Sequence, residues 1–325
     1  MTETVVLPRT RSAILASPGV FHHASVPERP LAPDEVRIRL EGCGVCRSDL
    51  AMWKGTPRFN YPLAPGSPGH EGWGRIEAIG SDVIGLKAGD RVAALSSHAY
   101  AEQDVAKASQ VVKLPADFRV PYFPAAPLGC AMNVFERSDI RSGMNVAIVG
   151  LGFLGVILTR LCVEAGATVI AISRRPHGLE LARQAGAKHV ISLQADSVVG
   201  QVISLTCAGG CDVVIETKGS AESLDLAAQM VTERGRLVTA GNFQEGPQQP
   251  NMQLRNWRGW AAINGYERDP QRCLAGITAA VAAVRRGVLD LTELVEVFPL
   301  TEIEEAFRLT ETRPAGFVKA VVVPS

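Results

Sequence analysis

The segment Gly150-Leu151-Gly152-Phe153-Leu154-Gly155 constrains this chain more than any other. It follows the apolar run Val146–Val149 and leads into Phe153–Ala165, where apolar residues recur with helical spacing. A lone G-x-G-x-x-G carries little information, but between a strand and a helix it points to a parallel βαβ unit. The first glycine permits the tight turn, the second lets backbone amides approach a pyrophosphate, and the third lets helix and strand pack closely. The amides and dipole at the helix start then favour an anion. The competing reading is a glycine-rich βα turn in some other doubly wound fold.

The pattern continues downstream. Thr168–Ile172, His189–Ser192, Asp212–Glu216 and Arg236–Ala240 are short apolar runs, and Gly178–Ala185 and Ala221–Val231 are helical patterns between them. Such alternation predicts a doubly wound parallel sheet in an α/β protein. Up to about residue 118 the chain reads differently, as short strands. Arg11–Ala16, Glu35–Glu41, Gly74–Ile79, Asp90–Ala94 and Ala108–Leu114 are strand-like, and Gly and Pro punctuate them, most densely over Tyr61–Gly69. An irregular β-barrel is the expected form. After the middle come helical patterns at Leu274–Arg286 and Ile303–Thr310 and a last strand at Phe317–Val323. A β-rich head and a β-ending tail around an α/β middle predict an insertion. Residues 1–130 with 268–325 form one domain, and 131–267 the inserted one. At 325 residues the chain is long for a single core and comfortable for two.

Charge narrows the partners. Lys+Arg and Asp+Glu are both 33, so the net charge is zero, which argues against nucleic acid or an anionic membrane as the partner. Met1–Ser12 carries charge and no apolar run of signal length. The longest apolar stretch, Val146–Leu158, is interrupted by three glycines and is too short to span a membrane. The seven cysteines are odd in number and irregularly spaced, which suits a reducing cytosol better than a disulfide framework. A cytoplasmic protein is expected.

Two places carry chemistry beyond the glycine loop. The second strand of the middle ends in Ile172-Ser173-Arg174-Arg175. NAD sites place an acid there, about 20 residues after the loop, for the ribose 2′-hydroxyl. This chain offers a hydroxyl and two guanidiniums, which match a 2′-phosphate, so NADP(H) is preferred over NAD(H). The alternative is a solvated turn. In the head, Cys46, His70 and Cys130 are soft or borderline donors suited to Zn²⁺. Two thiolates and an imidazole leave a fourth position open, as catalytic zinc requires. Free cysteines are often simply buried, and Cys43, Cys162 and Cys273 read that way. Cys207 and Cys211 lack a matching second pair and read as packing or loop residues.

These residues together resemble the zinc-containing alcohol dehydrogenases of the medium-chain dehydrogenase/reductase superfamily. Gly44-Val45-Cys46-Arg47-Ser48-Asp49, Gly69-His70-Glu71, Gly89-Asp90-Arg91-Val92, Pro127-Leu128-Gly129-Cys130-Ala131 and the glycine loop come in the family's order over nearly the whole chain. The resemblance implies a GroES-like barrel with an inserted Rossmann domain. It implies Cys46, His70 and Cys130 as zinc ligands and Glu71 as the acid beside the metal. Ser48 would be the hydroxyl that takes the alcohol proton, and Asp49 the carboxylate that orients His70. Arg47 and Lys319 fall where relatives contact the pyrophosphate; the alternative for each is surface charge. Thr217 and Gly241 join Gly150, Gly152, Phe153, Leu154, Gly155, Ser173, Arg174 and Arg175 as cofactor-binding positions.

The sequence also departs from the family. The structural-zinc lobe, four close cysteines after Gly-Asp-Arg-Val, has no counterpart, so one zinc per chain is implied. Ala51 stands where some members carry a proton-relay histidine; His98 is a distant candidate for that role, and reads better as a surface loop residue. The stretch from Cys130 to Gly150 is shorter than in many relatives, which makes Cys130 the least secure ligand. The expected function is interconversion of an alcohol and an aldehyde or ketone with NADP(H), by a homodimer or homotetramer. Alternatives are a zinc-free quinone or enoyl reductase of the same superfamily, or a non-catalytic NADPH-binding regulator. Trp53, Phe59, Tyr61 and Trp257 are candidate aromatic lining for an apolar or ring-bearing substrate, or else core. The strand near Gly259–Ile263 is a candidate interface edge.

Overall fold

The computed structural model describes residues 8–207, 209–241 and 252–324; most of the leader reading, Met1–Leu7, lies outside them. The chain begins with β1 (Arg9–Ser17), β2 (Val20–Pro27) and β3 (Glu35–Gly44), then a single-turn helix α1 (Leu50–Trp53). β4 (Gly72–Ile79), β5 (Arg91–Ala94), β6 (Gln103–Lys107) and β7 (Val111–Lys113) follow. Next come α2 (Ala125–Ser138), β8 (Asn145–Val149), α3 (Phe153–Glu164), β9 (Thr168–Ser173), α4 (Pro176–Gln184), β10 (His189–Ser192) and α5 (Val198–Leu205). The alternation runs on through β11 (Cys211–Glu216), α6 (Ala221–Gln229), β12 (Val231–Thr239), α7 (Met252–Arg258), β13 (Ala261–Asn264) and α8 (Pro270–Arg285). β14 (Val295–Pro299), α9 (Ile303–Thr312) and β15 (Lys319–Val323) close the chain. Two compact units result: one runs to Pro127 and resumes at Leu291, and the other spans Leu128–Asp290.

The second unit is the parallel α/β sheet the alternation predicts, in strand order β10-β9-β8-β11-β12-β13. Val146–Val149 of β8 and Val169–Ile172 of β9 are essentially unexposed, because helices cover both faces of such a sheet. From β8 the chain winds outward through β9 and β10, then returns to the other side of β8 as β11. That reversal opens a crevice beyond the carboxyl ends of β8 and β11, and the glycine loop stands there.

The first unit is the GroES-like part. Its larger sheet has the order β14-β15-β3-β4-β5-β7, with β6 also on β3, and β1 pairs β2 separately. Arg91 locks β5 in place. Its Nε donates to Glu41 at 2.6 Å, and its terminal nitrogens donate to the carbonyls of Phe118 (3.1 Å) and Val120 (2.9 Å). The last strand, β15, pairs with the end of β3 at Val321–Gly44 and Val322–Cys43, so the tail lies beside the Cys46 segment.

The observed division differs from the sequence reading at its second boundary, drawn at 267/268. α8 belongs with Leu128–Asp290 because it crosses α2 backbone to backbone. A Cβ on Gly129 would lie 2.7 Å from Ile277 Cγ1, and one on Gly276 2.5 Å from the Gly129 carbonyl oxygen. Local elements differ too. Ala108–Leu114 divides into a 3-10 turn, Ala108–Gln110, and the short β7. β2, β6, β14, α2, α5 and α7 are elements the pattern did not reveal.

Candidate functional site

β3 and β4 are antiparallel neighbours in register at Cys43–Gly72. Residues just past the end of β3 and just before β4 therefore meet. Val45 N–H donates to Ala320 O at 2.9 Å, which pins the turn carrying Cys46 to β15. The ligand atoms of Cys46, His70 and Glu71 all lie within 4.8 Å of one another. Cys46 and His70 are half-buried and Glu71 is buried. Cys130 is outside this group: it sits half-buried on α2, in the second unit.

The imidazole is oriented. His70 Nδ1 lies 3.2 Å from Asp49 Oδ1 and 3.1 Å from the Pro68 carbonyl oxygen. Both are acceptors, so Nδ1 carries the proton and Nε2 the lone pair. Burial alone would depress the ring's pKa. The Asp49 carboxylate and the hydrogen-bonded Cys46 outweigh burial and lift it well above the ordinary histidine value. A divalent cation would take the place of the second ring proton, the one on Nε2, and leave Nδ1–H on Asp49. A thiol, a ring nitrogen with its far side anchored, and a buried carboxylate converging at this distance fit zinc.

Other predicted residues fall nearby in the same unit. Ser48 Oγ donates to Asp49 Oδ1 over a long 3.4 Å, and Arg47 is exposed. Lys319 is buried, with Nζ 2.7 Å from Glu71 Oε2 and 3.1 Å from the Val45 carbonyl oxygen. Burial alone would lower its pKa, and the Glu71 charge more than restores it. Trp53 is core: it stacks on Phe21 at 6.0 Å and its Nε1 donates to Glu311 at 3.1 Å. His98 is exposed, as is Trp257, while Phe59 and Tyr61 are half-buried. Burial pushes the Cys162 and Cys211 thiols up to about 12, which leaves them inert as nucleophiles.

Pattern reading missed Tyr100, a fully buried phenol whose O–H donates to Asp49 Oδ2 at 2.8 Å. Burial and the Asp49 charge push its pKa well above the ordinary tyrosine value, so it remains a donor. Only its neighbours Ala99 and Ala101, too small to mark a strand, surround it in sequence, so no local signal pointed to it.

In the second unit the glycine loop is tightly built. Gly150 has φ +101°, and a Cβ on Gly155 would lie 1.9 Å from Gly150 O. Gly152 caps α3 with no side-chain bond to its first turn, an arrangement that fits a phosphate anion. Phe153 and Gly155 are buried and Leu154 half-buried. Thr217 supports the loop from below, since its Oγ1 donates to Gly150 O at 2.7 Å. Gly241 packs against the turn after β11: a Cβ there would lie 2.2 Å from Gly219 N. Ser173 is buried and accepts from Arg175 N–H at 3.2 Å, while Arg174 is exposed. Arg175 donates to Leu151 O at 3.3 Å, so it lies beside the loop.

Comparison with known proteins agrees with both units. Residues 32–116 match the family described as alcohol dehydrogenase GroES-like domain, and residues 154–264 match zinc-binding dehydrogenase. An alcohol dehydrogenase of Geobacillus stearothermophilus is 30% identical over 248 residues, 66% of this chain and 72% of that protein. A quinone oxidoreductase of Pseudomonas aeruginosa is 27% identical over 293 residues, 86% of this chain and 88% of that protein. The crystal structure of benzyl alcohol dehydrogenase from Acinetobacter calcoaceticus shares the fold, with TM-score 0.86 and 21% identity over 98% of this chain and 100% of that one.

Proposed function

Because the chain belongs to the zinc-binding, GroES-like alcohol dehydrogenase family of the medium-chain dehydrogenase/reductase superfamily, we propose that it is an NADP(H)-preferring, zinc-dependent alcohol dehydrogenase. The observation that carries this reading is the convergence of Cys46, His70 and Glu71 around an imidazole anchored by Asp49. Cys46, His70 and Cys130 would hold one zinc ion, with Glu71 as the exchangeable donor. Bound zinc supplies a Lewis acid that polarises a carbonyl and acidifies an alcohol. Ser48 accepts the alcohol proton. Asp49 keeps His70 in the tautomer that leaves Nε2 free. The Gly150–Gly155 loop and the start of α3 bind the pyrophosphate, and Ser173, Arg174 and Arg175 the 2′-phosphate.

The substrate is a small alcohol or carbonyl compound, the compartment the cytoplasm, and the assembly a dimer or tetramer. β13, an edge strand with mostly exposed residues, would take the second copy. No helix among the described residues is long and apolar enough to cross a membrane.

Metal content and a substrate panel test the proposal. Wild type should carry one zinc and oxidise NADPH with some aldehydes or ketones, and Cys46→Ser should lose both. Cys46→Ser with full zinc and full activity sinks the metal assignment. Arg174→Ala and Arg175→Ala should each raise KM for NADPH roughly tenfold or more, from the ~1.5–3 kcal/mol of a hydrogen bond to a charged group, and leave KM for NADH unchanged. The rival reading is zinc-free quinone or enoyl reduction within the same superfamily. A zinc-free wild type that reduces quinones would establish it.

A further inference from the structure

The segment between β5 and β6 carries none of the motifs above, yet it is bonded to three parts of the first unit. Ala99 N–H donates to Gly69 O and Tyr100 N–H to Gly66 O, both at 3.0 Å. Ala13 N–H donates to Tyr100 O and Glu102 N–H to Arg11 O, both at 2.9 Å, on β1. Leu40 N–H of β3 donates to Glu102 O at 2.9 Å. These bonds fix Tyr100 beside the Gly66–Gly69 loop that delivers His70. Its ring stands edge-on to Phe21 (centroids 6.5 Å apart, 87°) and to Phe307 (5.6 Å, 75°).

A ring held this way would be served equally by phenylalanine. The hydroxyl is what needs an explanation, since a buried O–H must find an acceptor. Its acceptor is Asp49 Oδ2, 2.8 Å away, with the Gly44 carbonyl a longer 3.4 Å. The other oxygen of that carboxylate is the one facing His70 Nδ1. We propose that Tyr100 is a positioning residue of the metal centre: its phenol holds the Asp49 carboxylate in the rotamer that presents Oδ1 to His70, and so sets the angle and tautomer of the imidazole. Ser48 Oγ, 3.4 Å away, reaches Oδ1 instead, so it does not replace the phenol on Oδ2. The role is mechanical and continuous: the aromatic cluster fixes the ring, the ring aims the hydroxyl, the hydroxyl fixes the carboxylate, and the carboxylate fixes the ligand.

This inference rests on the zinc reading, and the test separates the two. Zinc affinity is measured by chelator competition on the full chain, and the Co²⁺-substituted protein gives the absorption spectrum of the site. Tyr100→Phe should keep the fold and thermal midpoint of the metal-free protein. Its zinc dissociation constant should rise about tenfold or more, within the 10–100-fold range of outer-shell substitutions, with altered Co²⁺ bands. In an Asp49→Asn background the same substitution should have little further effect, since both act through one contact. Unchanged affinity and spectrum in Tyr100→Phe overturn the proposal. So does an effect undiminished in Asp49→Asn, and so does failure of metal-free Tyr100→Phe to fold, which would make the hydroxyl structural. Wild type that binds no zinc overturns the metal reading itself.

Discussion

Lys319 shows how far a single residue can be read. Its positive charge near the chain end is plain in the sequence, but its destination depends on β15 lying beside β3, a pairing between positions far apart in the chain. In the structure the ammonium and Glu71 form a pair of which neither is more than 6% exposed. Such a pair contributes little net stability over an apolar substitute, but breaking it leaves one charge buried alone. Lys319→Met should therefore destabilise the metal-free protein by about 3–5 kcal/mol, read as a lower urea midpoint. Adding Glu71→Gln should recover much of that loss. If the single variant unfolds at the wild-type midpoint, Glu71 is satisfied some other way.

At the scale of elements, the strands and helices with clean periodicity were legible and the mixed ones were not. β8, β9 and α3 are apolar in the pattern their burial requires. α2 is hidden because Pro127 and Gly129 both read as breakers. Pro127 lies in the first turn, where a missing N–H costs nothing, and Gly129 is there for the approach of α8. α5, VVGQVISL, is rich in β-branched residues and has a central glycine, so its local propensity points away from helix. β2 places His22 and His23 together on exposed positions and breaks alternation. The α2–α8 crossing makes a prediction in which two effects oppose. Alanine at Gly129 gains ~1 kcal/mol in helix propensity, but its Cβ would meet Ile277 N at 2.9 Å as well as Cγ1 at 2.7 Å. Backbone cannot yield cheaply, and overpacking costs about 1–3 kcal/mol. Gly129→Ala should lower the thermal midpoint. A rise would mean that the helices separate freely.

In the whole molecule, the insertion was visible because each motif is short and the motifs come in a fixed order; Tyr100 and the exact return point of the chain were invisible because both are set by packing between distant segments. The two units have separate apolar cores. One is gathered from the barrel strands, Trp53, Tyr100 and Phe307, and the other from β8, β9, β11, β12 and Trp260. The glycine loop, Thr217 and Gly241 are bonded or packed within the second unit, and Cys46, His70, Glu71, Asp49 and Lys319 within the first. Binding of dinucleotide should therefore survive loss of the metal cluster. Cys46→Ser, depleted of zinc, should bind NADPH within about threefold of wild type, a change below ~1 kcal/mol, as read by nucleotide fluorescence. The reverse should hold as well. Gly155→Val drives a side chain into the Gly150 carbonyl, so it should abolish NADPH binding while zinc content stays at the wild-type level. A folded Cys46→Ser protein that binds NADPH more than about tenfold weaker would mean that the cofactor site is built from both units together.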